Sequence, residues 1–398
     1  MWWNPKVEEF RSEIREFADR VVAPAGDRMD NASNFEPDLL QQLKDRKYLS
    51  MLCPAEFGGP QSDTLTYAVA VEELSRVCGS TGITVAAANS LGVYPVNAFG
   101  NADQRRMVLP GVGAKGDVIV FGLTEPGAGS DASGTKTTAV RDGNDWLING
   151  GKCFITNPHF AEWIICTAVT RPGMGAKGIS SFLLNKSTPG FSVGKKENKM
   201  GLRGSDTATL HFDNVRVSND QMLGPEGEGF KQFMKTLDGG RISIGAMALG
   251  LAQGAFEIAV RYAKNRVQFG KPISEHQAIQ FKLADMGTQI QAARHLVYHS
   301  AYLKDLGKPF AKESAMAKLF ASEIGHQCTY QAIQVLGGHG YNSINRVERH
   351  FRDVKLCEIG EGTSEIQRIV ISRHILKEFD QLIEPSHHVS QALASATA

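Results

Sequence analysis

Over the first hundred residues, apolar positions recur in steps of three and four. In KVEEFRSEIREFADRVV, the residues Val7, Phe10, Ile14, Phe17 and Val21 fall on one face of a helix. EPDLLQQLKDR, TLTYAVAVEELSRV and the small-residue stretch from Ala86 to Val96 repeat that spacing, punctuated by the Gly/Pro loop CPAEFGGP. Near Gly116 the period shortens. DVIVFGLTE, TKTTAVR, DWLING, KCFIT, AEWIICTAVT, ISSFLL, FSVGK and ATLHFDNVRV are short runs rich in β-branched and aromatic residues. Asp142-Gly143 and Asn149-Gly150-Gly151 read as turns between them. After Gly229 the helical period returns and persists from Phe230 to about Phe379. Breaks fall at Gly270-Lys271-Pro272, Gly307-Lys308-Pro309 and Gly337-Gly338.

The pattern therefore predicts a mainly α protein with a central β-domain. A helical domain spans 1–115, a sandwich- or barrel-like β-domain 116–228 and a bundle of long helices 229–380, with a loose tail over 381–398. Helices, then strands, then helices is not the alternating order of a nucleotide-binding parallel sheet.

Composition narrows the function classes. A net charge of +1 gives no basic footprint for nucleic acid or an anionic membrane surface. The opening MWWNPKVEEF lacks the features of a secretory signal, and ISIGAMALGLAQGAF reads as a closely packed helix too short to span a bilayer. Six scattered cysteines without a CxxC suggest a reducing compartment, so a cytoplasmic location is expected. His295 and His299 stand one helical turn apart, but Leu296 occupies the place where a zincin carries glutamate, and no metal site is expected.

GVGAKG at 111–116 matches the dinucleotide fingerprint in form only, because a helical segment precedes it and a strand follows. TEPGAGSD, from Thr124 to Asp131, joins two strands. Its small residues admit close backbone approach to a ligand, although a tight β-turn needs the same residues. EIGEGTSEIQR, at 358–368, puts Glu361 between glycines just ahead of a helix that Ser364 and Gln367 read as capping. A carboxylate there complements the helix dipole without any further role.

Taken together, TEPGAGSD, NGGKCFITN, KMGLRGSDTATLHFDNVRV, LDGGR, NRVQFGKPI with HQAIQFKLAD, QVLGGHGY and EGTSEIQR resemble, in order, the acyl-CoA dehydrogenases of short- and medium-chain type. The resemblance runs from about Val7 to Phe379. It implies an N-terminal helical domain, a middle β-domain and a C-terminal four-helix bundle, assembled as a homotetramer. FAD would lie between β-domain and bundle, partly covered by a neighbouring subunit. It further implies an acyl-CoA substrate, dehydrogenated between Cα and Cβ with electrons passed to an electron-transfer flavoprotein. Glu361 would remove the α-proton and flavin N5 would take the β-hydride.

Further roles carry over by position. Phe121, Leu123, Thr124, Gly129 and Ser130 with Phe154, Ile155 and Thr156 would bind the flavin ring, Ser130 touching the acyl-CoA as well. Arg266, Phe269 and Gln277 would hold the pyrophosphate and adenosine side. Gln334, Val335, Leu336, Gly337 and Gly338 would clasp FAD across a subunit boundary, and Thr363 and Glu365 would close the site. Asp238, Gly239, Gly240 and Arg241, matching the CoA-contacting segment, and Gly362 would bind the acyl-CoA. Two positions depart from the family pattern. Gly360 stands where many relatives carry an aromatic ring, which suggests a branched or cyclic acyl group. Gly240 stands where some relatives place their base. The arginine by which glutaryl-type relatives bind a distal carboxylate would fall near Gly82. An oxygen-using oxidase or monooxygenase and a non-catalytic acyl-CoA-binding subunit are the competing readings.

Overall fold

A computed structural model of the chain describes residues 5–382. The N-terminal block consists of seven helices: α1 (Pro5–Phe17), α2 (Ala23–Ala32), α3 (Pro37–Asp45), α4 (Thr64–Val77), α5 (Gly79–Ala87), α6 (Tyr94–Phe99) and α7 (Ala102–Lys115). Val7, Ile14 and Phe17 of α1 are buried, as the spacing predicts. One π-helical stretch, Ala18–Val22, joins α1 to α2, and another, Ala88–Val93, joins α5 to α6. GVGAKG forms the end of α7, with Gly116 as its left-handed cap.

Every residue of α4 but Thr66 is buried, its two consecutive glutamates included. Glu72 and Glu73 have no exposed surface. Such charges persist only where paired. Arg11 and Arg294 bond Glu72, Arg11 and Arg76 bond Glu73, and the Tyr298 hydroxyl also bonds Glu72.

The middle block is a curled sheet of seven strands: β1 (Val118–Gly122), β2 (Thr138–Asp142), β3 (Asp145–Thr156), β4 (Ala161–Val169), β5 (Ile179–Asn185), β6 (Phe191–Lys196) and β7 (Thr207–Ser218). The order is β1-β4-β2-β3-β7-β6, with β5 pairing to β4. Asp142-Gly143 forms the β2–β3 hairpin turn as expected. The turn expected at Asn149-Gly150-Gly151 does not form. DWLING and KCFIT are one strand, β3, and the glycines instead mark a register shift against β7.

The C-terminal block opens with α8 (Gly229–Asn265), followed by a small hairpin of β8 (Val267–Gln268) and β9 (Lys271–Pro272). Then come α9 (Gln277–Asp305), α10 (Ala311–Leu336), α11 (Gly338–Tyr341), α12 (Val347–Ile359) and α13 (Ser364–Leu382). ISIGAMALGLAQGAF was expected to be too short for a bilayer, but it lies within a 37-residue helix long and apolar enough to cross one. That helix is instead the centre of the core, with 78% of its most apolar window buried against α4, α9, α10 and α12. Gly245 approaches Ala317, and Gly325 meets Ala248 and Val354, so small residues bring α8 and α10 together. Gln381 and Leu382 belong to the end of α13 rather than to a tail, and 383–398 lie outside the described residues.

Candidate active site

Glu361 follows α12 in the short loop that leads into α13, with φ of 53°. A left-handed backbone is unfavourable for a residue bearing a Cβ, and such strain concentrates at functional positions. Gly362 continues the turn at φ 91°. The residue retains some exposure, but its Oε2 is buried and has no hydrogen-bond partner. Burial raises the carboxyl to about 7, against the opposing effects of Lys318 and Arg241.

The expected cap of α13 differs in detail. Ser364 is the first helical residue, and its hydroxyl has no partner. Thr363 caps instead, with its Oγ1 accepting from Ile366 N at 3.4 Å. Gln367 turns back to donate to the Gly362 carbonyl at 2.8 Å. Two hydroxyls at adjacent positions make the cap ambiguous in sequence, and the left-handed turn at 361–362 decides it.

The LDGGR segment of α8 faces this loop. A Cβ added to Gly240 would overlap Glu361 Oε2. The Glu361 carboxylate thus rests against the bare backbone of α8, and position 240 and Glu361 point at one place. Arg241 is buried and pairs with Asp238 at 2.6 Å, while its Nε is sealed off without a partner. Burial lowers the Arg241 pKa and raises that of Asp238. A Cβ on Gly239 would lie 3.0 Å from Lys304 Nζ. Burial lowers the Lys304 ammonium to about 8, and it lies 4.9 Å from the centre of the Tyr94 ring.

TEPGAGSD leaves β1 as a tight loop in which Glu125 and Ala128 exchange backbone hydrogen bonds. Phe121 and Leu123 are buried, the Phe121 ring lying 5.0 Å from that of Phe233. Thr124 is bonded through its carbonyl to Cys153 N at 2.7 Å, which places this loop beside the CFIT segment of β3. Gly129 and Ser130 are exposed, and a Cβ on Gly127 or Gly129 would meet nothing within 4 Å. Phe154 sits at the β3 register shift with φ 60° and is 67% exposed. Ile155 beside it is buried and Thr156 partly so.

The residue that anchors this loop is one that sequence reasoning missed. The Glu125 carboxylate is buried and accepts from Lys152 Nζ at 2.7 Å, Lys136 N at 2.6 Å, Thr137 N at 3.0 Å and the Thr135 hydroxyl. Burial alone would raise its pKa, but these donors prevail and hold it at about 2. Lys152 has 1% exposure and also donates to Thr135 and Thr167. A lysine in a strand otherwise alternating with apolar residues was the available signal.

Not all predicted site residues meet within one chain. Arg266, Phe269 and Gln277 are exposed at the far end of α8, with Phe269 at 96% exposure on the hairpin turn. The 25 residues from Gly240 to Asn265 place them about 38 Å from Glu361. Gln334, Gly337 and Gly338 are exposed at the end of α10, where His339 stacks near Tyr262 of α8. Val335 and Leu336, expected at the cofactor, point their side chains into the core, so only their backbone is available to a ligand. Thr363 caps α13, and Glu365 is exposed beside it. Among the described residues no cluster of His, Cys, Asp or Glu suits a metal ion.

Three family models match successive parts of the chain. They are the acyl-CoA dehydrogenase N-terminal domain over 4–116, the middle domain over 120–215 and the C-terminal domain over 227–376. The human mitochondrial short-chain specific acyl-CoA dehydrogenase is 45% identical over 92% of this chain and 89% of its own length. Butyryl-CoA dehydrogenase from Megasphaera elsdenii superposes with a TM-score of 0.91 at 41% identity, covering 94% of this chain and 99% of that one. A chain from the structural work on the electron transferring flavoprotein of Acidaminococcus fermentans and flavin-based electron bifurcation gives 0.92 at 44%, covering 94% and 98%. The helical, curled-sheet and helical blocks, the site loops and these likenesses agree: the chain belongs to the acyl-CoA dehydrogenase family of flavoprotein oxidoreductases.

Proposed function

We propose that the protein dehydrogenates an acyl-CoA thioester between Cα and Cβ, with Glu361 as the base. The observation that carries this reading is the Glu361 carboxylate: buried, unpartnered at Oε2, held on a left-handed backbone and facing α8 where Gly240 has no side chain. A carboxylate lifted to about 7 is matched to proton abstraction near neutral pH. An unpaired, desolvated oxygen keeps its basicity for a substrate hydrogen. Relatives that bear the base at position 240 would deliver a carboxylate to the same place, so the two arrangements are spatially equivalent and mutually exclusive.

The chain offers surfaces that fit FAD. Phe154 presents an exposed ring beside the open TEPGAGSD loop, and both are fixed by the Glu125–Lys152 pair. When bound, FAD supplies the two-electron oxidant for the hydride from Cβ. Phe121, Leu123, Thr124, Ser130 and Thr156 would border the ring, while Asp238, Arg241 and Gly362 line the approach to Glu361. Arg266, Phe269 and Gln277, together with the Gln334–Gly338 corner, lie too far from Glu361 to serve the same cofactor in one chain. This distance supports an assembly, a homotetramer by family precedent, in which one subunit completes its neighbour's site. An electron-transfer flavoprotein is the electron acceptor in this reading, supported by the likeness to a chain from work on such a protein. The buried, unpaired cysteines fit a cytoplasmic setting.

The reading of the acyl group rests on Gly360. Its φ of −70° and ψ of 153° suit any residue, and the nearest atoms to an added Cβ all belong to Leu356, at 3.4–3.5 Å. Leu356 flanks the position without filling it, which supports an acyl group bulky near Cα–Cβ. At Gly82, a Cβ would overlap the Ser75 hydroxyl, which leaves no room for an arginine that recognises a distal carboxylate.

Anaerobic flavin bleaching against straight, branched, cyclic and aryl acyl-CoAs tests the whole reading. Branched or cyclic thioesters should bleach faster than butyryl-CoA, and Gly360→Tyr should move preference toward the straight chain by roughly 10–200-fold. A strong wild-type preference for butyryl-CoA would refute the enlarged pocket while leaving the reaction intact. Glu361→Gln should bind FAD and thioester yet lose about 10²–10⁴-fold in bleaching rate.

A further inference from the structure

Lys318 lies within α10 with no exposed surface, an uncommon place for an ammonium group. Among the described residues no carboxylate pairs with it as an ion pair. Among the described residues its hydrogen bond goes to a backbone oxygen, the carbonyl of Gly362. That carbonyl also accepts from Gln367 Nε2 at 2.8 Å, and Gln367 is likewise fully buried. Two buried donors, one from α10 and one from α13, thus converge on the Gly362–Thr363 peptide, one residue past Glu361. This peptide belongs to the turn at φ 53° and 91°, a conformation that persists only when its surroundings impose it.

We propose that Lys318 is a positioning residue for the base. Through the Gly362 carbonyl it holds Glu361 on its left-handed turn, and its charge favours the ionised carboxylate. The proposal rests on the reading of Glu361 as the base. The charged groups around Glu361 support it. Lys318 from α10 and Arg241 from α8 both face the carboxylate, and Tyr67 from α4 lies near it in neutral form. Around Lys318 stand Glu361, Glu358, Arg241 and the Cys357 thiol. Arg241 is already engaged by Asp238 at 2.6 Å. Lys318 is therefore the cation whose charge is not committed to another carboxylate by a direct ion pair. Burial lowers its ammonium to about 8 and raises Glu361 to about 7, so each keeps its charge best while the other is charged.

The test compares FAD-bound wild type, Lys318→Met, Lys318→Arg and Gln367→Leu. One readout is independent of turnover: the infrared band of the protonated Glu361 carboxyl, assigned by its absence in Glu361→Gln and titrated with pH. The other is the pH dependence of anaerobic bleaching by butyryl-CoA. In Lys318→Met both midpoints should rise by about one pH unit, and the plateau rate should fall tenfold or more, as expected when a charge is removed and a base is displaced. Lys318→Arg should restore the midpoints. Gln367→Leu, which removes a donor but no charge, should slow bleaching at unchanged midpoints. Wild-type midpoints in folded, fully FAD-loaded Lys318→Met would overturn the proposal, since a merely structural lysine moves stability and not titration. If that variant does not fold, Lys318→Gln is read in the same way. A wild type that no acyl-CoA bleaches refutes the thioester reading, and the infrared midpoints still decide the role of Lys318.

Discussion

In the proposed reaction, Glu361 as the base and the glycine opposite it are a single device at the residue scale. Glu361 must be ionised to take a proton, and burial raises its carboxyl to about 7. Below that pH it is protonated and inert. Flavin bleaching should therefore increase as pH rises through about 7, and a rate flat from pH 5 to 8 would contradict the assignment. Gly240 leaves the space into which the carboxylate fits. In Gly240→Ala the added Cβ meets the far end of a flexible side chain, not backbone, so the fold should survive. The carboxylate must move, and a displacement of about an ångström costs about 10²-fold in rate. Stopped-flow bleaching beside a thermal melt separates the two effects: the rate should drop while the melting temperature changes little.

Loop TEPGAGSD illustrates the element scale, because what fixes a glycine-rich loop is not its glycines. Glu125 docks it onto β3 through Lys152 and onto 135–137 through three further donors. Removing one member of a buried pair leaves the other charge uncompensated, at a cost of about 3–5 kcal/mol. Lys152→Met should show that loss in denaturant unfolding, together with weaker FAD retention. The pair also sets an acid limit. The Glu125 pKa is depressed in the fold, so its contribution is complete above the ordinary carboxylate pKa of 4.5 and is lost as pH falls from there through about 2. Acid unfolding in that window should weaken in Lys152→Met, where the main partner of the carboxylate is absent. An identical acid profile in both proteins would show that the pair contributes nothing.

For the whole molecule, the length of α8 is decisive. It carries Gly240 near one end and leads into Phe269 beyond the other, about 38 Å away. Phe269, Tyr341 and Ile344 are 96%, 90% and 82% exposed, more than isolated surface residues need. An assembly that covers them and lends Arg266 and Gln277 to a neighbour accounts for both observations. Phe269→Glu should consequently reduce the oligomer in sedimentation and raise the FAD dissociation constant, with the secondary structure unchanged. Full FAD affinity in a monomer would exclude a shared site.

The sequence by itself determined the three blocks, because helical and strand periods differ and the switches near Gly116 and Gly229 are abrupt. The Gly-Glu-Gly run ahead of a helix is a local pattern that singled out Glu361, and the resemblance of EGTSEIQR to the family implied its role as base. Chain-order motifs made the family legible for the same reason. Only the tertiary structure decided that Gly150 lies within a continuous strand, that Thr363 and not Ser364 caps α13, and that Val335 and Leu336 turn inward. It alone brought Glu125 to Lys152, Glu361 to Gly240 and Lys318 to Gly362. Each of these pairs joins positions 27, 121 and 44 residues apart, respectively. Local periodicity carries no information about such partners, and burial, which makes a lone charge costly, is a property of the packed molecule.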